Sequence, residues 1–288
     1  MRELGNGLYR LTEKKKTGSI SMKEKKDWPS LIKEIEGLLR LKTFPLGIKF
    51  ISDEKELHET GKLRVPMKNS FTCQLLTVAR TYGWSFVVTG DRLMPVCGNI
   101  LGFYEAPPGV KNGKFRSIAW CKSMEDAKKF EDSIPRMPLG KYRALFLGPQ
   151  VHGSFEPDIV LFYGNPAQMI LIINALQFED YERMIFQCIG ESSSCAETIV
   201  QCYLSKKPLF SIPCFGERRY GHAQDDEVVM SVPAFQVEKV RRNLEELAKR
   251  GVRYPIAYFG AQVDLCYGLP PAYHELLGLS GYEKPARK

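Results

Sequence analysis

Residues 142–179 read YRALFLGPQVHGSFEPDIVLFYGNPAQMILIINALQFE, and the order of elements in this stretch decides the fold class. RALFLG and DIVLFYG are two short apolar runs, too apolar to face water on either side, and each predicts a buried strand. NPAQMILIINALQFE then predicts a helix, with Pro166 in its first turn. Strand and helix signals recur in both directions from there. Upstream, PSLIKEIEGLLRL predicts a helix over 29–41, Leu46 to Ile51 a strand, SFTCQLLTVARTYGW a helix stopped by Gly83, SFVVTG a strand, FRSIAW a strand and SMEDAKKFEDSI a helix capped by Ser123. Downstream, RMIFQCIG predicts a strand, SSSCAETIVQCYLSKKP a helix with Ser194 as N-cap and Glu197 completing a capping box, LFSIP a strand, CFGERRYGH a loop, DEVVMSVP a strand and AFQVEKVRRNLEELAKRG a long amphipathic helix. A short helix is expected near Tyr273 to Leu277. The expected class is α/β of mixed α+β character: two pseudo-repeated strand–helix halves, with mixed sheets around a shared core.

The expected halves span residues 28–150 and 151–288, packed as one unit behind a basic, flexible tail at 1–27. The tail holds eight Lys/Arg against four Asp/Glu, so half of the chain's net charge of +8 sits there. Tyr9 is the only aromatic before Trp28, so the charge reads as a solvated end rather than a nucleic-acid arm. No apolar run reaches the roughly 18–20 residues that span a bilayer, and the start lacks the apolar core of a secretory signal. The expectation is a cytoplasmic protein with neither nucleic-acid nor membrane partners.

Eight cysteines in a reducing compartment are buried thiols, reactive thiols or metal ligands. Four of them occupy matching places in the two halves. Cys73 and Cys195 each follow a hydroxyl residue, Thr72 and Ser194, that can cap a helix. Each is therefore expected at the first helical position, where unpaired backbone N–H groups favour a thiolate. Cys97 and Cys214 stand between a proline and a glycine, in PVCG and PCFG. Between the paired cysteines lie 23 residues in the first half and 18 in the second. Four thiolates from two halves could hold an iron–sulfur cluster or zinc; four separately buried thiols are the alternative. Cys121, Cys188, Cys202 and Cys266 read as packing residues. Arg80, Arg218 and His222 are candidates for holding an anionic cofactor or small-molecule ligand. No GxSxG, P-loop, GxGxxG or HExxH is present, which removes the usual support for hydrolases, nucleotide kinases and Rossmann dehydrogenases.

The segments LKTFPLGIKFISDEKEL, SFTCQLLTVARTYGW, VCGNILGF, FEPDIVLFYGNPAQMILIINAL and IPCFGERRYGHAQDDEVVMSVP together resemble the domain of unknown function family 169, the ArCR family, over roughly Trp28 to Leu247. The resemblance implies an intracellular protein of archaea and anaerobic bacteria and supplies no reaction. Beside it stand three functional expectations. The first is a cysteine-ligated metal or iron–sulfur protein with a redox or cofactor-related role in anaerobic metabolism, for which electron exchange would require a redox partner protein. The others are a non-metal module that binds a small carboxylate or phosphate, and a thiol-dependent enzyme with Cys73 or Cys195 as nucleophile.

Overall fold

The computed structural model describes residues 26–58, 63–257 and 271–278. Most of the basic tail, and Cys266, lie outside them. The fold is mixed α/β and is built on one six-stranded sheet in the order β2-β3-β1-β4-β6-β5. The strands are β1 (Leu46–Ile51), β2 (Phe86–Thr89), β3 (Ala144–Pro149), β4 (Ile159–Gly164), β5 (Leu209–Ser211) and β6 (Val228–Pro233). All strand pairs are antiparallel. Among the described residues parallel pairing is confined to isolated bridges at Arg64–Phe86 and Ser70–Leu93, so a single antiparallel sheet stands where mixed sheets were expected.

Matching β1, β2 and β3 to β4, β5 and β6 makes the strand order read the same from either edge. The match extends to single residues. Leu46–Leu161, Gly47–Val160 and Ile48–Ile159 pair across the centre, so a twofold through Gly47 and Val160 superposes position 46 on 159. The same operation carries the β1–β3 register, Leu46 opposite Pro149 through Ile51 opposite Ala144, onto Ile159 opposite Pro233 through Gly164 opposite Val228. It also carries Phe86 opposite Leu147 onto Leu209 opposite Ser231. Two hydrogen bonds at the strand ends obey it as well: Gln150 N–H to the Pro45 carbonyl (3.1 Å) and Ala234 N–H to the Asp158 carbonyl (2.9 Å).

Both sheet faces are covered, which is why β3, β4 and β6 are buried at every position. On one face Trp28–Leu39, Pro166–Gln177 and Ala234–Lys249 pack on Val160, Phe162, Met230 and Val232. On the other, Thr72–Tyr82, Pro95–Ile100 and a π-helix over Ser193–Val200 pack on Leu46, Ile48, Leu147, Leu161 and Val229. A fully buried β4 makes Phe162→Ala costly, by about 3–5 kcal/mol; a urea titration of the unfolding transition reads it.

Three assignments change. FRSIAW is not a strand: Lys114–Ser117 is a single helical turn and Ile118–Trp120 a turn off the sheet. The counterpart of β6 in the other triplet is therefore β3, not FRSIAW. RMIFQCIG forms no strand and has no regular secondary structure, with Phe186 resting on Phe210 at 5.2 Å. CFGERRYGH is mostly helical, over Phe215–Gly221.

Candidate functional site

The π-helix follows β4 and Pro166–Gln177, and it places Cys195 over the sheet. Thr72–Tyr82, which enters β2, places Cys73 beside it. Pro95–Ile100 carries Cys97 just past β2, and Cys214 opens Phe215–Gly221 just past β5. The four cysteines thus lie on corresponding connections of the two strand triplets, and all four line one cavity of about 850 Å³. A π-turn widens the helix and leaves backbone groups less regularly paired, a distortion that recurs at functional sites.

The local geometry differs from the expected first-turn placement. Phe71, not Thr72, is the N-cap of Thr72–Tyr82, and its N–H donates to the Gln74 side chain (3.0 Å), which puts Cys73 second in the helix. The π-helix begins at Ser193 behind Ser192, whose φ is 57°, so Ser194 is inside the helix and Cys195 is its third residue. Glu197 forms no capping box: its carboxylate accepts from Ile189 N–H and the Ser211 hydroxyl instead. Cys214 is the thiol that caps a helix, with its Sγ accepting from Glu217 N–H at 3.4 Å.

Tight backbone contacts hold the two halves of the site together. The Cys73 thiol faces the Gly216 carbonyl at 4.0 Å, and the Thr77 hydroxyl donates to the Gly221 carbonyl. Phe71 stacks on Tyr220, with centroids 4.5 Å apart and planes 7° from parallel. Cys214 N–H donates to the Ser193 hydroxyl oxygen at 2.8 Å. Ser193 in turn donates to Glu217, whose other oxygen accepts from the Tyr163 hydroxyl at 2.6 Å.

Burial pushes all four thiols above their usual value. Cys73, Cys97 and Cys195 are each pushed further by at least one of the other three, and Glu191 or Glu217 adds to every one. This reverses the thiolate expected of a helix start, because loss of water outweighs the backbone N–H groups. A thiol raised in the fold keeps its proton while the unfolded chain's thiol gives it up. The stabilisation is therefore complete below the usual thiol value of 9.0 and is lost as pH climbs above it. The metal-free protein should accordingly lose stability steadily from about pH 9 upward, read as a falling urea midpoint. The same protonation makes these thiols slow nucleophiles. Among the described cysteines, exposed Cys188 should alkylate first near neutral pH, as peptide mass mapping would show.

The three predicted anion-binding residues do not line the cavity. Arg80 is buried and spent on Glu227, through bonds of 2.6 and 2.9 Å, with its guanidinium 4.3 Å from the Tyr163 ring centre. Arg218 turns to the Gln224 carbonyl at 2.5 Å. His222 is exposed, in a left-handed conformation that ends its helix. The cavity's charged lining is instead Arg116, Glu191, Glu217 and, at the mouth, Arg219. Glu217 stands in the charged CFGERRYGH segment beside Cys214, whereas nothing in the sequence marks Arg116 or Glu191, which read as ordinary surface charges. Among the described residues, no three Cys, His, Asp or Glu side chains stand close enough, as placed, to hold one metal ion.

A mixed α/β protein with a thiol-lined cavity between two matched strand triplets is the class that fold and site define. The chain belongs to the uncharacterised ArCR family, whose profile matches residues 34–243. It is similar to an uncharacterized protein of Methanocaldococcus jannaschii, 24% identical over 216 residues that cover 74% of this chain and 91% of the relative. No solved structure matches it significantly. No helix among the described residues is long and apolar enough to cross a membrane.

Proposed function

We propose that the cavity holds a metal centre ligated by Cys73, Cys97, Cys195 and Cys214, in the form of an iron–sulfur cluster, and that the protein serves a redox or cofactor-related role in anaerobic metabolism. The observation that carries this reading is that four cysteines on corresponding connections of the two triplets all line one cavity. With no three ligand side chains placed around one point among the described residues, a cluster is favoured over zinc. Zinc draws four sulfurs to about 2.3 Å from a single point, whereas the thiolates of a cluster bind separate iron atoms. The raised thiols are consistent with a site awaiting a cation, because ligation removes the proton that burial otherwise retains. They disfavour a free thiolate nucleophile. With Arg80 and Arg218 both engaged elsewhere, a carboxylate- or phosphate-binding module loses the two arginines expected to anchor it.

Anaerobic reconstitution with ferrous iron and sulfide, followed by iron and sulfide assay and absorption spectra, tests the reading. The expected result is a coloured protein whose iron content collapses when the four cysteines are replaced by serine, and whose loading falls between about pH 8 and about pH 6 as protons compete for the thiols. A folded protein that takes up no iron, or takes it up equally without the four cysteines, overturns it.

A further inference from the structure

Beside the thiols the cavity carries a buried carboxylate oxygen that nothing in the protein satisfies. Glu191 is 8% exposed, and its Oε2 accepts from Arg116 Nη1 at 3.4 Å and from Ser192 N–H at 3.3 Å. Its Oε1 is buried and has no partner. Glu191 lines the cavity. A buried acceptor left open is costly, so this one marks a hydrogen bond meant for an occupant.

Arg219 is exposed to solvent, and the positive charge of Arg116 is already taken. Its Nε donates to Glu131 at 2.9 Å and its Nη1 to Glu191, while Arg136 also pairs with Glu131. The open group is therefore an oxygen of a carboxylate, which asks for a donor and favours a positive one. The same cavity is lined by the rings of Phe71, Phe115, Trp120, Phe215 and Tyr220, surfaces that attract flat apolar bodies and cations alike. A volume of about 850 Å³ lies within the range of small-molecule sites.

We infer that the cavity binds an organic molecule whose cationic, N–H-donating head meets Glu191 and whose flat apolar body lies between the aromatic walls. This site stands whether or not the thiols hold metal, so its test is run on chelator-stripped protein as well as on reconstituted protein.

Calorimetric titration with benzamidine and with benzoate separates the possibilities, since the two share a ring and differ in the sign of the head group. Benzamidine should bind with a Kd of about 1 mM, and benzoate about tenfold more weakly or not at all. Glu191→Gln should weaken benzamidine about tenfold. Trp120→Ala, at a half-exposed position, should weaken it several-fold without disturbing the fold, and serves if Glu191→Gln does not fold. Failure of benzamidine to bind stripped protein, equal binding of the two probes, or benzamidine affinity unchanged in either folded variant overturns the inference. Iron uptake without benzamidine binding would leave the metal reading standing alone, and the converse would leave this one.

Discussion

Arg116→Ala should lower the unfolding free energy by about 3–5 kcal/mol, the cost of removing one partner from a buried ion pair. Arg116 is 2% exposed and bridges two carboxylates, Glu131 and Glu191, that lie 15 and 75 residues from it in the sequence. Glu131 keeps Arg136 when Arg116 is gone, whereas Glu191 keeps only a backbone N–H. The stranded charge is therefore that of Glu191, and Arg116→Met combined with Glu191→Gln should recover part of the loss. A double-mutant cycle in urea isolates that coupling. Arg116→Lys should not substitute well, because an ammonium cannot present the two-armed fork that reaches both acids. Phe115, Trp120 and Phe130 ring the guanidinium at 5.2–5.7 Å, so part of the cost is lost packing that neither Met nor Lys restores. An Arg116→Ala protein that melts like the parent would mean the cluster is not buried as described.

How much of this was legible depends on whether a signal was local. The strands Leu46–Ile51, Ala144–Pro149, Ile159–Gly164 and Val228–Pro233 announce themselves as short apolar runs, because burial on both faces leaves them no polar alternation. The correspondence of Cys73 with Cys195 and of Cys97 with Cys214 was visible as order along the chain, and the cavity gathers all four. FRSIAW has strand composition, yet it turns off the sheet where Arg116 reaches Glu131 and Glu191, a tertiary demand that overrides propensity. CFGERRYGH looked like a loop because of its two glycines. It is helical because Cys214 caps it and because Gly221 allows a close approach to the Cys73 backbone, a contact no spacing along one segment can reveal. Arg116 and Glu191 were illegible for the same reason. A charge becomes a buried site residue only through partners distant in sequence.

That close approach carries the other large prediction. A Cβ at Gly221 would stand 2.8 Å from the Cβ of Cys73 and 3.1 Å from its carbonyl oxygen, so both obstacles are rigid rather than the far end of a flexible chain. Gly221→Val should therefore force Phe215–Gly221 away from Thr72–Tyr82, break the Thr77–Gly221 hydrogen bond and carry Cys214 away from Cys73. Overpacking of this kind costs about 1–3 kcal/mol in stability, a loss the fold can survive. The four-thiol site cannot tolerate the same shift, because shared ligation requires thiols from both helices at once. Iron retained after anaerobic reconstitution should drop to near the level of the four-serine protein while far-UV circular dichroism stays close to the parent. Gly216→Ala is the matched control. It lies in the same helix, its added Cβ would find nothing nearer than 3.8 Å, and alanine suits a helix better than glycine by about 1 kcal/mol. That variant should fold at least as well as the parent and load iron normally. Normal loading by Gly221→Val would show that the distance between the two helices does not govern the site, and would count against ligation shared across them.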